Sequence, residues 1–242
     1  MSIKQFPGGI ITKNPTAPTT SSAPGIWTLN EVTNYIKQGI WPSPPPTVIG
    51  QAFGGGFYAG QIGVSSVATH YLVVGPVASA QSTLQWKNVS TATTGADSVI
   101  DGPQNTADMV ADGNSTVYPC AHFCNDLSTG GQTDWYMPAK NELEVCYFNL
   151  KPTTTANNTS FGINSNAVPA RASNYTSGNP SQTSASAFIT STGAEAFATA
   201  FYWSSTENSA TYSWQHYFGN GYQYGNYKTS SVRVRAVRRV AV

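Results

Sequence analysis

Charge is what this chain has least of. Asp, Glu, Lys and Arg make up 10% of its 242 residues, against roughly 25% in an ordinary soluble protein. The two signs nearly cancel, leaving a net charge of +1 and a pI of about 7.7. Nucleic-acid binders advertise a basic excess, and none exists here. Cysteine is also sparse: Cys120, Cys124 and Cys146 are too few and odd in number for a disulfide framework, so reduced, buried thiols are expected. No apolar run approaches 18 residues, which removes a helical membrane span from consideration. The N-terminus, Met1-Ser2-Ile3-Lys4-Gln5-Phe6-Pro7, lacks an apolar h-region, so no secretion signal is expected.

Hydroxyls and amides fill the deficit. Ser, Thr and Asn number 72, and aromatics reach 12%, too many for a disordered polar tract. Solubility must rest on uncharged polar groups.

Two regions separate by composition. Residues 1–50 hold eight of the 15 prolines, a density that favours extended segments over sheet. One helix is signalled within it. Thr28 and Glu31 form a capping box, Trp27 is placed to staple onto Val32, and Leu29, Val32 and Ile36 share a face before Gly39 ends the run. Such a segment, flanked by Trp27 and Trp41 and with no core of its own, is expected to serve attachment or oligomerisation. Residues 51–242 form the second region and the main domain.

Within that domain Tyr71-Leu72-Val73-Val74 and Leu84-Gln85-Trp86 read as strands, and Val232 to Val237 alternates strictly enough to predict one strand. Pro119–Leu127 and Pro138–Leu150 have helical spacing. Asp97 to Asn114 reads as turns, broken by Asp101-Gly102-Pro103 and Asp112-Gly113. Residues 152–186 are rich in Ser, Thr, Asn, Gly and Pro and too long for a simple connection, so ordered irregular structure is expected.

Chemistry is hard to find. Cys120-x-His122-x-Cys124 fits no common zinc site, and the acids Asp97, Asp101, Asp108 and Asp112 lack EF-hand spacing. There is no Gly-x-Ser-x-Gly, no His-Glu-x-x-His and no P-loop. Glu142 and Glu144, two apart on a helix, suit solvent better than a carboxylate pair. Arg233, Arg235, Arg238 and Arg239 are expected to pair with the scarce acids or with carbonyls. No catalytic residue, metal or cofactor is expected.

The unusual stretch is Phe201 to Tyr227, with ten aromatics in 27 residues. Between Glu207 and Lys228 there is no charge at all. Neither helical nor strand periodicity holds through Asn208–Tyr227, and a tyrosine-rich core would leave many hydroxyls to satisfy. Tyr with Ser, Gly and Asn is instead the alphabet of a paratope, pairing rigid amphipathic area with adaptable hydrogen bonding. The candidate anchors are Tyr212, Trp214, Tyr217, Tyr222, Tyr224 and Tyr227. The candidate polar readers are Asn208, His216, Asn220 and Asn226.

Three ordered motifs carry a resemblance: Asp134-Trp135-Tyr136-Met137-Pro138-Ala139-Lys140-Asn141-Glu142-Leu143, then Tyr202-Trp203-Ser204-Ser205-Thr206-Glu207, then Arg233-Val234-Arg235-Ala236-Val237-Arg238. Over roughly residues 54–240 the chain resembles the C-type-lectin-like domains related to the C-terminal domain of the Legionella collagen-like adhesin. Many members of that group are variable proteins of diversity-generating retroelements, including phage receptor-binding proteins similar to the major tropism determinant. The resemblance implies an α+β, C-type-lectin-like fold, akin to that of formylglycine-generating enzymes, displaying variable side chains on a fixed scaffold. Trp214, Phe218 and Gly221 would belong to the scaffold. The chain departs from sugar lectins in lacking their calcium-binding triplets, and from the enzymes in lacking a late cysteine pair.

The expected protein is therefore a phage tail-tip or fibre adhesin, exposed on the virion. Its partner would be a host cell-surface receptor, protein or glycan. Residues 1–50 would join it to other virion tail proteins, and a homotrimer is expected by analogy with fibres, with no nucleic acid and no membrane insertion. The alternatives are a decoration protein that binds no host and, further off, a glycan-modifying enzyme.

Overall fold

A computed structural model describes residues 17–19, 23, 25–38 and 46–242. The chain divides into two compact units, Met1–Pro45 and Pro46–Val242.

The first unit contains helix α1 (Leu29–Lys37). Its capping box forms as expected: the Thr28 N–H donates to Glu31 Oε2 at 2.8 Å, and the Glu31 N–H donates to Thr28 Oγ1 at 3.3 Å. Trp27 meets Tyr35 edge-on at 5.3 Å. The expected end at Gly39, and Trp41, lie outside the described residues.

The second unit is mixed α+β. In chain order it runs β1 (Ala52–Phe53), β2 (Gly56–Val64), β3 (Val67–Val74), α2 (Val77–Ala80), β4 (Gln81–Gln85), α3 (Gly102–Asp112), α4 (Pro119–Asn125) and α5 (Lys140–Leu150). It closes with β5 (Phe201–Glu207), β6 (Tyr212–Tyr217), β7 (Gln223–Tyr227), β8 (Ser231–Arg235) and β9 (Val237–Ala241). One sheet has the order β1-β2-β3-β9, the other β4-β8-β5-β6-β7. The pairing is antiparallel except for β5 beside β8.

The alternating Val232–Val237 run is two strands, not one. It breaks at Ala236, whose N–H donates to Ala80 O and whose carbonyl accepts from Gly75 N–H, both at 2.9 Å. The chain thereby leaves one sheet and enters the other, a change that side-chain alternation cannot reveal. Asp97–Asn114 also departs from expectation, because it holds α3. Asp101 is its N-cap, with Oδ1 accepting from the Gln104 N–H, and Pro103 occupies the first turn, where no N–H is needed. Of the presumed breakers, Asp101-Gly102-Pro103 opens the helix and Asp112-Gly113 closes it. Helix α5 begins at Lys140, just beyond Pro138.

Two apolar clusters fill the unit. One joins Leu143, Cys146, Tyr147 and Leu150 of α5 to Leu72, Val74, Tyr202 and Phe218. The other gathers Trp86, Met109, Tyr118, Trp135, Met137 and Trp203 around Val234 and Ala236. All three cysteines are free and buried, and burial holds the Cys120 thiol well above its usual range.

Glu142 and Glu144 are buried, against the expectation that they face solvent. Their partners are remote in sequence. Glu142 accepts from Tyr136 Oη–H and from Arg239 Nε–H (2.8 Å), and its Oε2 accepts from the Ala139 N–H at 2.8 Å. Glu144 accepts from Arg171, Asn164 and Tyr175, the last at 2.6 Å. Through Glu144 the irregular 152–186 segment is tied to α5. Burial raises both carboxyls, and Arg239 and Arg171 oppose that shift.

Three of the four C-terminal arginines pair as expected. Arg235 bonds Glu195 at 2.8 Å, Arg238 forks onto Asp134 at 2.6 and 2.8 Å, and Arg239 holds Glu142.

Candidate binding face

Strand β5 is the platform. Its motif Tyr202-Trp203-Ser204-Ser205-Thr206 is buried throughout, and each polar group finds a specific partner. Trp203 Nε1–H donates to Leu84 O at 3.2 Å, and Trp86 Nε1–H donates to Ser204 O at 2.9 Å. Ser205 Oγ accepts from Asn105 Nδ2–H at 3.0 Å. Thr206 Oγ1–H donates to Ser98 O at 2.8 Å and accepts from the Lys140 N–H at 2.9 Å. Satisfied groups of this kind hold a unique packing.

Residues 208–227 stand on that platform as an antiparallel hairpin at one end of the five-stranded sheet. Tyr212↔Tyr227, Trp214↔Gly225 and His216↔Gln223 are opposed across it. The stretch that shows no strand periodicity in the sequence is therefore largely two strands. The pattern fails because both sides of β6 are occupied: Ser213 and Gln215 are buried on one side, His216 on the other. Ser213 Oγ–H satisfies itself on Thr206 O at 2.8 Å.

The hairpin's aromatic groups divide into pairs. Tyr212 and Tyr227 sit 4.8 Å apart, and Tyr222 stacks on Tyr224 at 6.0 Å. Tyr224 is 49% exposed and Tyr227 52%. Because Tyr224 and Tyr227 are three apart on one strand, their rings lie on opposite faces of the ribbon. Asn208 is exposed, and its side chain lies over Gly225. Asn226 Nδ2–H reaches Gln215 Oε1 at 3.4 Å. These residues are brought together at the open end of the sheet.

The remaining candidates lie lower. Trp214 is half-buried beneath the Lys140 ammonium, 3.8 Å from its ring centre. Tyr217 packs on Phe201 at 4.9 Å. Tyr222 is half-buried against Phe161 at 5.2 Å. Asn220 shapes the turn, its Oδ1 accepting from the Tyr222 N–H at 3.1 Å. Next to it Gly221 has φ of +81°, and a Cβ there would lie 2.6 Å from the Tyr147 ring, so only glycine fits.

His216 is not a polar reader. It is 2% exposed, 4.8 Å from the Tyr147 ring. The Gln223 amide lies 3.3 Å from its Nδ1, and the ring Nε2 has no hydrogen-bond partner among the described residues. Burial, with help from Lys140, pushes its pKa down to about 3, so the ring is neutral. Core burial has taken a residue whose type suits a binding face.

Sequence reasoning missed the fastening of the hairpin. Lys228 Nζ donates to Glu207 Oε1 and to Thr91 O, the latter at 2.8 Å, with Lys228 fully buried. The same ammonium lies 4.8 Å above the Trp86 ring. The two charges that bracket the uncharged stretch thus join at its base. The signal was the bracketing itself, opposite charges at 207 and 228 with none between.

Fold and face together define a scaffold that presents an uncharged, tyrosine- and asparagine-bearing hairpin at a sheet edge. Residues 75–238, about two thirds of the chain, match the family model of the Lcl C-terminal domain, an adhesin-like family, and this chain belongs to it. All three motifs quoted above fall inside that span. No curated protein matches the chain significantly.

Proposed function

We propose that this protein is a receptor-binding adhesin of a phage tail tip or fibre. It recognises a host-surface ligand without covalent chemistry, through the hairpin of residues 208–227 on a C-type-lectin-like scaffold. The observation that carries the reading is the exposure of Tyr224 and Tyr227, next to Asn208, on a hairpin with no charge and a buried fastening. Exposed large aromatics, here one on each face of the ribbon, mark recognition surfaces, where Tyr is a favoured anchor. Family membership supports adhesion, and the resemblance to phage variable proteins supports the virion setting. Residues 1–50 then attach the chain to other tail proteins, and a homotrimer multiplies weak single contacts into avidity.

The test is cell binding by purified protein. Exchanging residues 208–227 for the hairpin of a related gene should abolish binding to the original host while leaving the melting transition in place. Retained binding after the exchange would point to a face elsewhere, or to a decoration role.

A further inference from the structure

The edge of β7 carries unpaired backbone. Tyr217 N–H donates to Tyr222 O at 2.8 Å, and Lys228 N–H donates to Thr211 O at 3.1 Å. In an antiparallel ladder hydrogen-bonded pairs alternate with non-bonded ones, so Tyr222, Tyr224 and Asn226 turn their backbone groups towards β6. Gln223, Gly225 and Tyr227 turn theirs away from β6 on the terminal strand of the sheet, where Gln223 is 8% exposed and Gly225 half-buried. Tyr227 is already used: its N–H donates to Asn226 Oδ1 and its carbonyl accepts from Ser230, both at 2.9 Å. Gln223 and Gly225 are left with no backbone partner among the described residues.

Soluble proteins guard such edges with charge, proline or a bulge. Strand β7, Gln-Tyr-Gly-Asn-Tyr, has none of these. We propose that this edge accepts an extended, uncharged polypeptide segment of the receptor as a sixth strand of the sheet. The proposal rests on the binding-face reading and names its ligand class.

Three features favour a strand over other ligands. Outward N–H and C=O pairs at Gln223 and Gly225 recur at two-residue spacing, about 6.8 Å, which is the repeat of an extended backbone. Tyr224 and Tyr227 lie on opposite faces beside this edge, so an added strand gains an aromatic neighbour on each side. The hairpin offers no counter-charge, so a charged segment would be desolvated without compensation. The Glu207–Lys228 fastening holds the edge in place.

The probe is a displayed library of random 12-residue peptides, panned against the immobilised full chain. Recovered peptides should lack charge and slow amide exchange at Gln223 and Gly225 by at least about tenfold. Methylating the peptide's backbone nitrogens one at a time should weaken binding about tenfold at every second position and little between. On the protein side, Gly225→Pro removes an outward N–H. Because a Cβ at Gly225 would lie 2.3 Å from Asn208 Nδ2, the variant is made with Asn208→Ala, and Asn208→Ala alone is the control. The double variant should lose peptide binding about tenfold against that control. Should it fail to fold, the methylation series still decides. Recovery of no peptide, unchanged exchange at both amides, methylation effects without a two-residue period, or selective capture of saccharides would overturn strand addition. Cell binding that survives hairpin exchange would instead remove the binding-face reading itself.

Discussion

Trp203 and Tyr224 are both aromatic residues in one short stretch, yet their environments are opposite. Trp203 is fully enclosed, with its indole N–H bonded to Leu84 O. Trp203→Ala should cost about 3–5 kcal/mol in urea unfolding. Tyr224→Ala and Tyr227→Ala should each stay within about 0.5–1 kcal/mol, because little packing is lost. A large loss for either tyrosine would make it a core residue. His216 gives a second residue-level outcome. Its folded pKa is about 3 against an ordinary 6.5, so below pH 6.5 the unfolded chain takes a proton that the folded ring refuses. Its contribution is complete above pH 6.5 and is lost as pH falls towards 3. The loss at pH 5 is on the order of 2 kcal/mol. His216→Gln should flatten the stability profile between pH 6.5 and 4, and an unchanged profile would contradict the assignment. The sequence could show that His216 is of a suitable type for a binding face. It could not show that Tyr147, 69 positions away, covers it.

At the scale of elements, the hairpin depends on the ion pair at its base. Removing one partner of a buried pair leaves a charge uncompensated, at a cost of roughly 3–5 kcal/mol. Lys228→Met should therefore destabilise strongly and speed amide exchange through residues 208–227. Pairing it with Glu207→Leu should recover part of the loss, because both charges are then gone. Additive losses in the double variant would show that the pair is not coupled. Other elements differ in how far the sequence betrays them. Helix α5 follows from local pattern. Helix α3 did not, because Asp, Gly and Pro open a helix and close one with the same letters. The β8–β9 division was hidden for another reason: alternation reports a strand, not the sheet it joins. The buried Glu142 and Glu144 depend on Arg239 and Arg171, and no local window contains both members of either pair.

Across the whole molecule, a low-charge surface and a dense, hydrogen-bonded interior divide the labour. Ten of the 23 charged residues meet in five fastening pairs: Glu142 with Arg239, Glu144 with Arg171, Glu195 with Arg235, Asp134 with Arg238 and Glu207 with Lys228. The hairpin of residues 208–227 is left to uncharged groups, whose substitution should leave the scaffold undisturbed. The composition already contained this division, since a chain with few charges had to carry its solubility on hydroxyls and amides. Where those few charges would meet was a three-dimensional fact. The most direct test is to sequence the segment encoding residues 201–235 across many related genes. Substitutions should concentrate at Asn208, Tyr212, Tyr224, Asn226 and Tyr227, while Trp203, Glu207, His216, Gly221 and Lys228 stay fixed. Variation spread evenly over the segment, or falling on the fastening residues, would contradict a displayed recognition hairpin on a constant scaffold.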